Sequence, residues 1–596
     1  MKVPMEPDST FLHGCACAAS LIRENVAARW TVKQAGAKIS NTRERMCRVR
    51  LSGLIRATVV ATVLGAVLTA VPRLAIAQAL ETAPVAALPA PRLTFSEQEM
   101  LLARQAAAYP GLADFYGTNG LKPLFSGPEG AVRRAALIAA IDEAASHGLP
   151  PSRYRAQLLR QLDREGVDTA EEEIRFARVF ADWSHDITGG ILDPARVEPG
   201  IKREVLRPRP GDLLREFVTS ADPAAMLAAL PSQDPRYEAL RKALAKQSRL
   251  VAPSDAPQVP EGLWREGMSD PAIAALRVRL ASVGFAAVPA GSPLTFDAPL
   301  AQAVAGFQQA AGLPADGVAG PRTVARINRG PGAEAAPILA ALERMRWMYG
   351  HDLNARHVWV NLPEFNARIY EAGQEIFETR VVIGKAKPDF ETPEFTETMK
   401  YMVVNPRWNV PRSITVKEYL PRLQANRNAV SHLDVVDGAG NVIPRDRIDF
   451  RQYTAKTFPY RMRQKPSDDN ALGQVKFMFP NPWNIYLHDT PTRHLFNQSS
   501  RAYSHGCIRV GRPIDLAHEL LRGQVADPAA VFDKALGSGR ETYLNIRPPL
   551  PVHLVYFTAF PDETGQIHRF PDIYGRDALI HAALVKAGLD SAAMDE

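Results

Sequence analysis

Cys507 is the only cysteine after residue 47, and it stands in the run Ser504-His505-Gly506-Cys507-Ile508-Arg509. His488-Asp489 precedes that run, with fifteen residues between His488 and Ser504. A lone thiol with histidines nearby is a nucleophile with candidate bases. A free thiol titrates at about pH 8.5, so reactivity at neutral pH needs a basic or cationic neighbour. Two histidines could serve. His505 would project beside Cys507 only if the backbone bends between them. His488 stands at the end of a predicted strand over residues 484–487. Acyl transfer also needs donors for an oxyanion. Gly506 lets backbone approach a scissile carbonyl without a side chain in the way, and the N–H groups of Gly506 and Cys507 are the natural donors. Arg509 and Arg501 flank the nucleophile and offer guanidinium forks to carboxylates. Ser504 is grouped with them as a substrate contact. Tyr486, Trp408 and Asn405 fall on the flanking predicted strands, where they either line the cleft or simply pack.

A metal site is the competing reading. His488, His494, His505 and Cys507 are four potential ligands within twenty residues. Zinc ligands usually come in pairs spaced about two to four apart. His505-x-Cys507 is too tight, and the chain has no Cys-x-x-Cys or His-x-x-x-His. No metal and no organic cofactor is expected, and His494 reads as structural. A papain-like protease needs its cysteine near the mature N-terminus with the histidine far downstream, the reverse of this order.

A histidine, a gap of this length and then Ser/Thr-His-Gly-Cys resembles the signature of the L,D-transpeptidases, whose catalytic domain is of the YkuD type. The resemblance implies a mainly-β fold and a cysteine acyl-enzyme that cross-links peptidoglycan. It makes His488 the base and the backbone carbonyl of Asp489 its orienting partner. His505 then shapes the oxyanion site or orients substrate. The implied partners are peptidoglycan stem peptides and glycan, and the implied inhibitors are carbapenems. Arg509 replaces the asparagine of many single-domain members, so their substrate contacts do not carry over. The implied product is a 3–3 cross-link between diaminopimelate residues, with D-Ala released. L,D-carboxypeptidase activity, or attachment of outer-membrane protein to the wall, would use the same donor chemistry. A non-catalytic wall-binding protein is the alternative from another class, and the intact motif argues against it.

The elements that must position these residues divide the chain into several parts. Residues 1–77 hold eleven Lys/Arg against four Asp/Glu, while the remaining residues hold sixty of each. The basic character therefore belongs to a leader, and the body shows no bias toward a nucleic-acid partner. Arg48, Arg50 and Arg56 precede an apolar run over residues 57–71, and Ala75-Ile76-Ala77 offers a cleavage site. Met46 is a candidate true start. Export to the periplasm follows, with inner-membrane association through an uncleaved leader as the alternative. Removing the leader leaves Cys507 as the one cysteine, with no intramolecular disulfide, and the chain is expected to be monomeric.

Residues 78–92 are Ala/Pro-rich and read as a linker. Residues 93–250 carry helix-period apolar spacing and read as a helical scaffold, without chemistry of their own. Residues 263–330 read as three short helices. Phe307-Gln308-Gln309, Asp316-Gly317 and Gly320-Pro321-Arg322-Thr323 there resemble the small peptidoglycan-binding domain. A connecting helix is expected within 331–356. From His357 the period switches to two, giving a β-rich catalytic domain over 357–550. A polar insertion over about 413–470, with a helix near 416–426, resembles a lid. Residues 551–596 read as a C-terminal extension. The fold class is thus multidomain α+β: a helical N-terminal scaffold, a small three-helix domain, and a mainly-β catalytic domain with a lid.

Overall fold

The structure, a computed structural model, describes residues 94–248, 256–311, 313–328 and 331–589. The expected leader, 1–77, and the linker over 78–92 lie outside the described residues. The first part is the helical scaffold. Its longest helix, Ala170–Gly189, is started by a capping box in which Thr169 and Glu172 satisfy each other's backbone donors. The helix buries Ile174, Phe176, Phe180 and Ile187 against Phe115, Phe125, Leu137 and Phe217. Glu173 on the same face is buried and fully used, accepting from Tyr116 Oη and from the N–H groups of Leu124, Phe125 and Ser126.

The three expected short helices are Ala272–Ser282, Ala298–Ala310 and Pro321–Asn328. Their core is Ile273, Leu276, Leu280, Leu300, Val304, Phe307, Val324 and Ile327. Asp270 and Asp297 cap the first two, accepting from Ala272 N at 2.7 Å and Leu300 N at 3.1 Å.

The catalytic part begins with β1 (His357–Asn361), β2 (Asn366–Glu371), β3 (Gln374–Gly384) and β4 (Phe395–Val404). The insertion supplies β5 (Trp408–Asn409), β6 (Asp434–Val436) and β7 (Arg461–Gln464). The frame resumes with β8 (Val475–Met478), β9 (Leu487–His488), β10 (Ala502–Ser504), β11 (Ile508–Val510) and β12 (Thr542–Val555). The main sheet runs β10-β3-β11-β9-β8-β4-β12-β1-β2, and β2 also pairs with β3. The long β3 serves both ends, so the sheet closes on itself and leaves no long open edge in the middle of the domain. Alternate residues fill its core, among them Ile369, Val381, Met402, Phe477, Leu487, Ile508 and Val552.

The structure corrects two expectations about elements. The insertion is not a polar loop with one helix. It is a small unit with its own sheet, β5-β7-β6, and its own core of Trp408, Leu420, Leu423, Val435, Phe450, Phe458 and Met462. The expected helix near 416–426 is broken into a short α turn, a π-helical stretch Thr415–Tyr419 and the α segment Leu420–Ala425. The boundary at residue 550 also fails. β12 runs through it and pairs with β4 on one side and β1 on the other. Residues 551–555 are therefore central strand. The following helix, Arg576–Lys586, packs into a core shared with Pro331–Arg346 and the scaffold's last helix, Pro235–Ser248.

Candidate active site

Three strands set the site. β9 runs antiparallel to β8 and parallel to β11, with His488 opposite both Lys476 and Arg509. Paired residues share one face of a sheet, so Lys476, His488 and Arg509 form a row. Their neighbours Phe477, Leu487 and Ile508 point the other way, into the core. One face of these short strands is thereby locked by apolar burial, and the other carries the chemistry.

His488 is buried, and its Nδ1 lies 2.5 Å from the backbone carbonyl of Asp489. A carbonyl can only accept, so Nδ1 carries the proton and Nε2 is left with a free lone pair. Burial, then the charge of Arg509, hold the ring neutral, with its pKa lowered to about 3. Asp489 is itself immobilised. Its carboxylate accepts from Gln474 N and Thr490 N and pairs with Arg493 at 2.5 Å. Gly473 passes so close, with φ +57°, that a Cβ there would lie 2.2 Å from the Asp489 carboxylate.

Cys507 is half-buried at the start of β11. Its sulfur lies 3.5 Å from the carbonyl of Asn484. Burial pushes the thiol up to about 11, against the lowering effect of the polar groups of Tyr486 and of Arg509. At rest the site is thus a neutral thiol beside a neutral imidazole. Tyr486 packs against both the sheet core and the core of the insertion, so it links the two near Cys507.

The turn ahead of Cys507 is held by polar contacts. Gly506 has φ +110°, where a side chain is strained, and a Cβ would lie 3.1 Å from Ile485. Its carbonyl accepts from Thr392 Oγ1 at 2.7 Å. Its N–H donates to Ser504 Oγ at 3.1 Å, and Ser504 Oγ donates to the Cys507 carbonyl at 2.5 Å. This corrects two expectations: the Gly506 N–H already has an acceptor, and the buried Ser504 staples the turn instead of facing substrate. The Cys507 N–H has no acceptor among the described residues.

Of the two arginines, Arg509 belongs to the site and Arg501 does not. Arg509 keeps a buried Nε without a hydrogen-bond partner, and burial lowers its pKa. Arg501 is spent on the carbonyls of Val381, Gln498 and Phe365 and lies over the Phe365 ring. Asn405 is spent likewise, donating to the carbonyls of Ala535 and Leu536 at 3.1 and 2.9 Å. Trp408 sits in the core of the insertion, edge-on to Tyr419. His494 lies outside the row, in the short helix Arg493–Asn497.

His505 departs from sequence reasoning in its partner. Its Nε2 is 2.6 Å from Glu418 Oε1, on the π-helical stretch of the insertion. Phe390 meets the His505 ring edge-on, with centroids 4.8 Å apart. Nothing in the sequence signals Glu418, which stands 87 positions before His505. Among the described residues no cluster of His, Cys, Asp and Glu has the arrangement of a metal site. Nor is any described helix long and apolar enough to cross a membrane.

A thiol, an oriented neutral imidazole and a buried guanidinium thus lie together on a closed β frame. Three segments of the chain match known families. Residues 355–531 match the YkuD family, the L,D-transpeptidase catalytic domain. Residues 110–244 match a family described as a scaffold domain, and residues 269–327 one described as "Putative peptidoglycan binding domain". The chain carries a YkuD-type L,D-transpeptidase catalytic domain together with a peptidoglycan-binding domain. A Haemophilus influenzae protein named "Putative L,D-transpeptidase" is 38% identical over 228 residues, which is 38% of this chain and 45% of that protein. The match thus spans about half the length of that relative. A solved L,D-transpeptidase fragment from Xylanimonas cellulosilytica is 16% identical, covering 51% of this chain and all of the fragment, with a TM-score of 0.13.

Proposed function

We propose that this protein is a peptidoglycan L,D-transpeptidase that forms 3–3 cross-links through a cysteine acyl-enzyme. The observation that carries the reading is the His488–Asp489 pair, which leaves Nε2 free as a base on the same sheet face as the row beside Cys507. In the proposed reaction the Cys507 thiol gives its proton to His488 Nε2. Sulfur then attacks the carbonyl of diaminopimelate that follows its L-centre in a tetrapeptide stem. The Cys507 N–H stabilises the oxyanion. The C–N bond breaks, and D-Ala leaves with the proton from His488. The side-chain amine of a second diaminopimelate then attacks the thioester. The C–S bond breaks, and the sulfur recovers a proton through His488.

Arg509, with its unpartnered Nε, suits a stem-peptide carboxylate. The peptidoglycan-binding domain would hold the enzyme on its polymer substrate, which places the protein in the cell envelope. The test is mass spectrometry of products from tetrapeptide muropeptides. Dimers with loss of D-Ala, and a covalent carbapenem adduct on Cys507, are expected. Tripeptides without dimers would make the enzyme an L,D-carboxypeptidase. An intact substrate and no adduct would leave only a wall-binding protein.

A further inference from the structure

We propose that Glu418 is the docking carboxylate for the cationic amine acceptor, positioned by its contact with His505. The inference rests on the acyl-transfer reading above. Glu418 is the carboxylate that the insertion brings to the motif: its Oε1 lies 2.6 Å from His505 Nε2, two residues before the nucleophile. No Lys or Arg pairs with it among the described residues. The adjacent Lys417 turns to Asp389 instead, at 3.5 Å.

Other carboxylates nearby are already engaged. Asp489 is buried and saturated by two N–H groups and Arg493, and Glu391 faces Arg576 at 3.4 Å. The Glu418–His505 pair is different in kind, being 40% and 28% exposed. Half-exposed ion pairs contribute little to stability, so exchanging one partner for a ligand costs little.

The π-helical stretch Thr415–Tyr419 supports a functional reading. Such stretches are rare, and the extra residue in the turn re-aims side chains. Here Tyr419 packs against the core of the insertion while Glu418 reaches the motif.

Charge decides which substrate Glu418 serves. The donor stem brings carboxylates, which suit Arg509 and Lys476 and which Glu418 repels. The acceptor brings a primary amine that is an ammonium at neutral pH. A carboxylate bonded to His505, itself two residues before the thioester-bearing Cys507, would concentrate that cation near the point of attack. Before attack the ammonium loses one proton, which leaves to solvent across the half-exposed Glu418. The neutral amine then forms the C–N bond as the C–S bond breaks, and its second proton reaches the departing sulfur through His488.

The experiment uses the full chain, acylated with a tetrapeptide donor. Two nucleophiles then compete for the thioester: a diaminopimelate tripeptide, which is an ammonium at pH 7, and hydroxylamine, which is uncharged. The ratio of the two captured products cancels any effect on acylation. Glu418→Gln is expected to lower the tripeptide-to-hydroxylamine ratio about tenfold, the scale of one charge-assisted contact. In the unaltered protein the same ratio should fall as salt is raised. An unchanged ratio in Glu418→Gln, or one insensitive to salt, overturns the assignment. Absence of any donor adduct on Cys507 in the unaltered protein would instead overturn the acyl-transfer reading, a distinguishable failure.

Discussion

On the proposed reading, Cys507 and His488 form a reactive pair that stays uncharged until substrate arrives. With the thiol pushed up to about 11 and the imidazole held down at about 3, neither group ionises across the neutral range. Thiolate is the nucleophile toward a simple alkylating agent, and its fraction rises about tenfold per pH unit below the thiol pKa. Alkylation of Cys507 by iodoacetamide should therefore climb steadily from pH 7 to pH 10. A thiolate–imidazolium pair would instead give a flat rate from pH 6 upward, and that result would contradict the site as described. Replacement of the base is the second test at this scale. His488→Ala should lose about 10²–10⁴-fold in acylation rate, as general bases do. His494→Ala, off the row, should lose far less; equal losses measured side by side would remove His488 from its role.

Among the elements, the insertion is the one whose character changed most between sequence and structure. Its own sheet and core make it a compact unit that meets the site through Tyr486 and through Glu418 on His505, and we propose that it serves as a cover. A cover that excludes water protects a thioester from hydrolysis. Replacing residues 413–470 by a short Gly/Ser turn should leave acyl-enzyme formation possible. It should shift products from cross-linked dimer toward hydrolysed tripeptide. The ratio of the two by mass spectrometry is the measurement, and an unchanged ratio with normal acylation would mean that the insertion does not gate the acceptor.

At the scale of the whole molecule, the scaffold and catalytic parts are fastened by buried charge. Glu343 on the Pro331–Arg346 helix is fully buried and pairs with Arg346 at 2.6 Å. It also accepts from Leu192 N at 2.8 Å and from Trp347 Nε1 at 3.2 Å. Nearby, Arg344 and Arg576 converge on Glu394, at 3.2 Å each, joining that helix, the C-terminal helix and the start of β4. Removing one member of a buried pair leaves the other charge unpaired, at a cost of about 3–5 kcal/mol. Glu343→Ala should destabilise the protein by that amount in denaturant unfolding. A change below about 1 kcal/mol, the scale of a surface pair, would show that this seam does not hold the molecule together.

The sequence by itself determined whatever depends on local chemistry. Cys507 and His488 stand in a spacing that few structures would tolerate by accident. The three short helices are written in their caps and apolar period, and the period-two stretches gave most of the frame. Reach was not legible, because it depends on which strands become neighbours. Arg501 and Arg509 adjoin the motif on paper, and Asn405 and Trp408 fall on the expected flanking strands. Only pairing decided that Arg509 shares a face with His488, that Arg501 and Asn405 are consumed by backbone carbonyls, and that Trp408 turns into the insertion. Ser504 and the Gly506 N–H look available in one dimension and prove to be partners of each other. Glu418 and Glu343 carry no local signature, since their partners are distant in the chain or defined only by burial. Sequence spacing fixes which groups a short segment can offer, whereas the sheet's register and the packing of the cover fix which of them remain free to act.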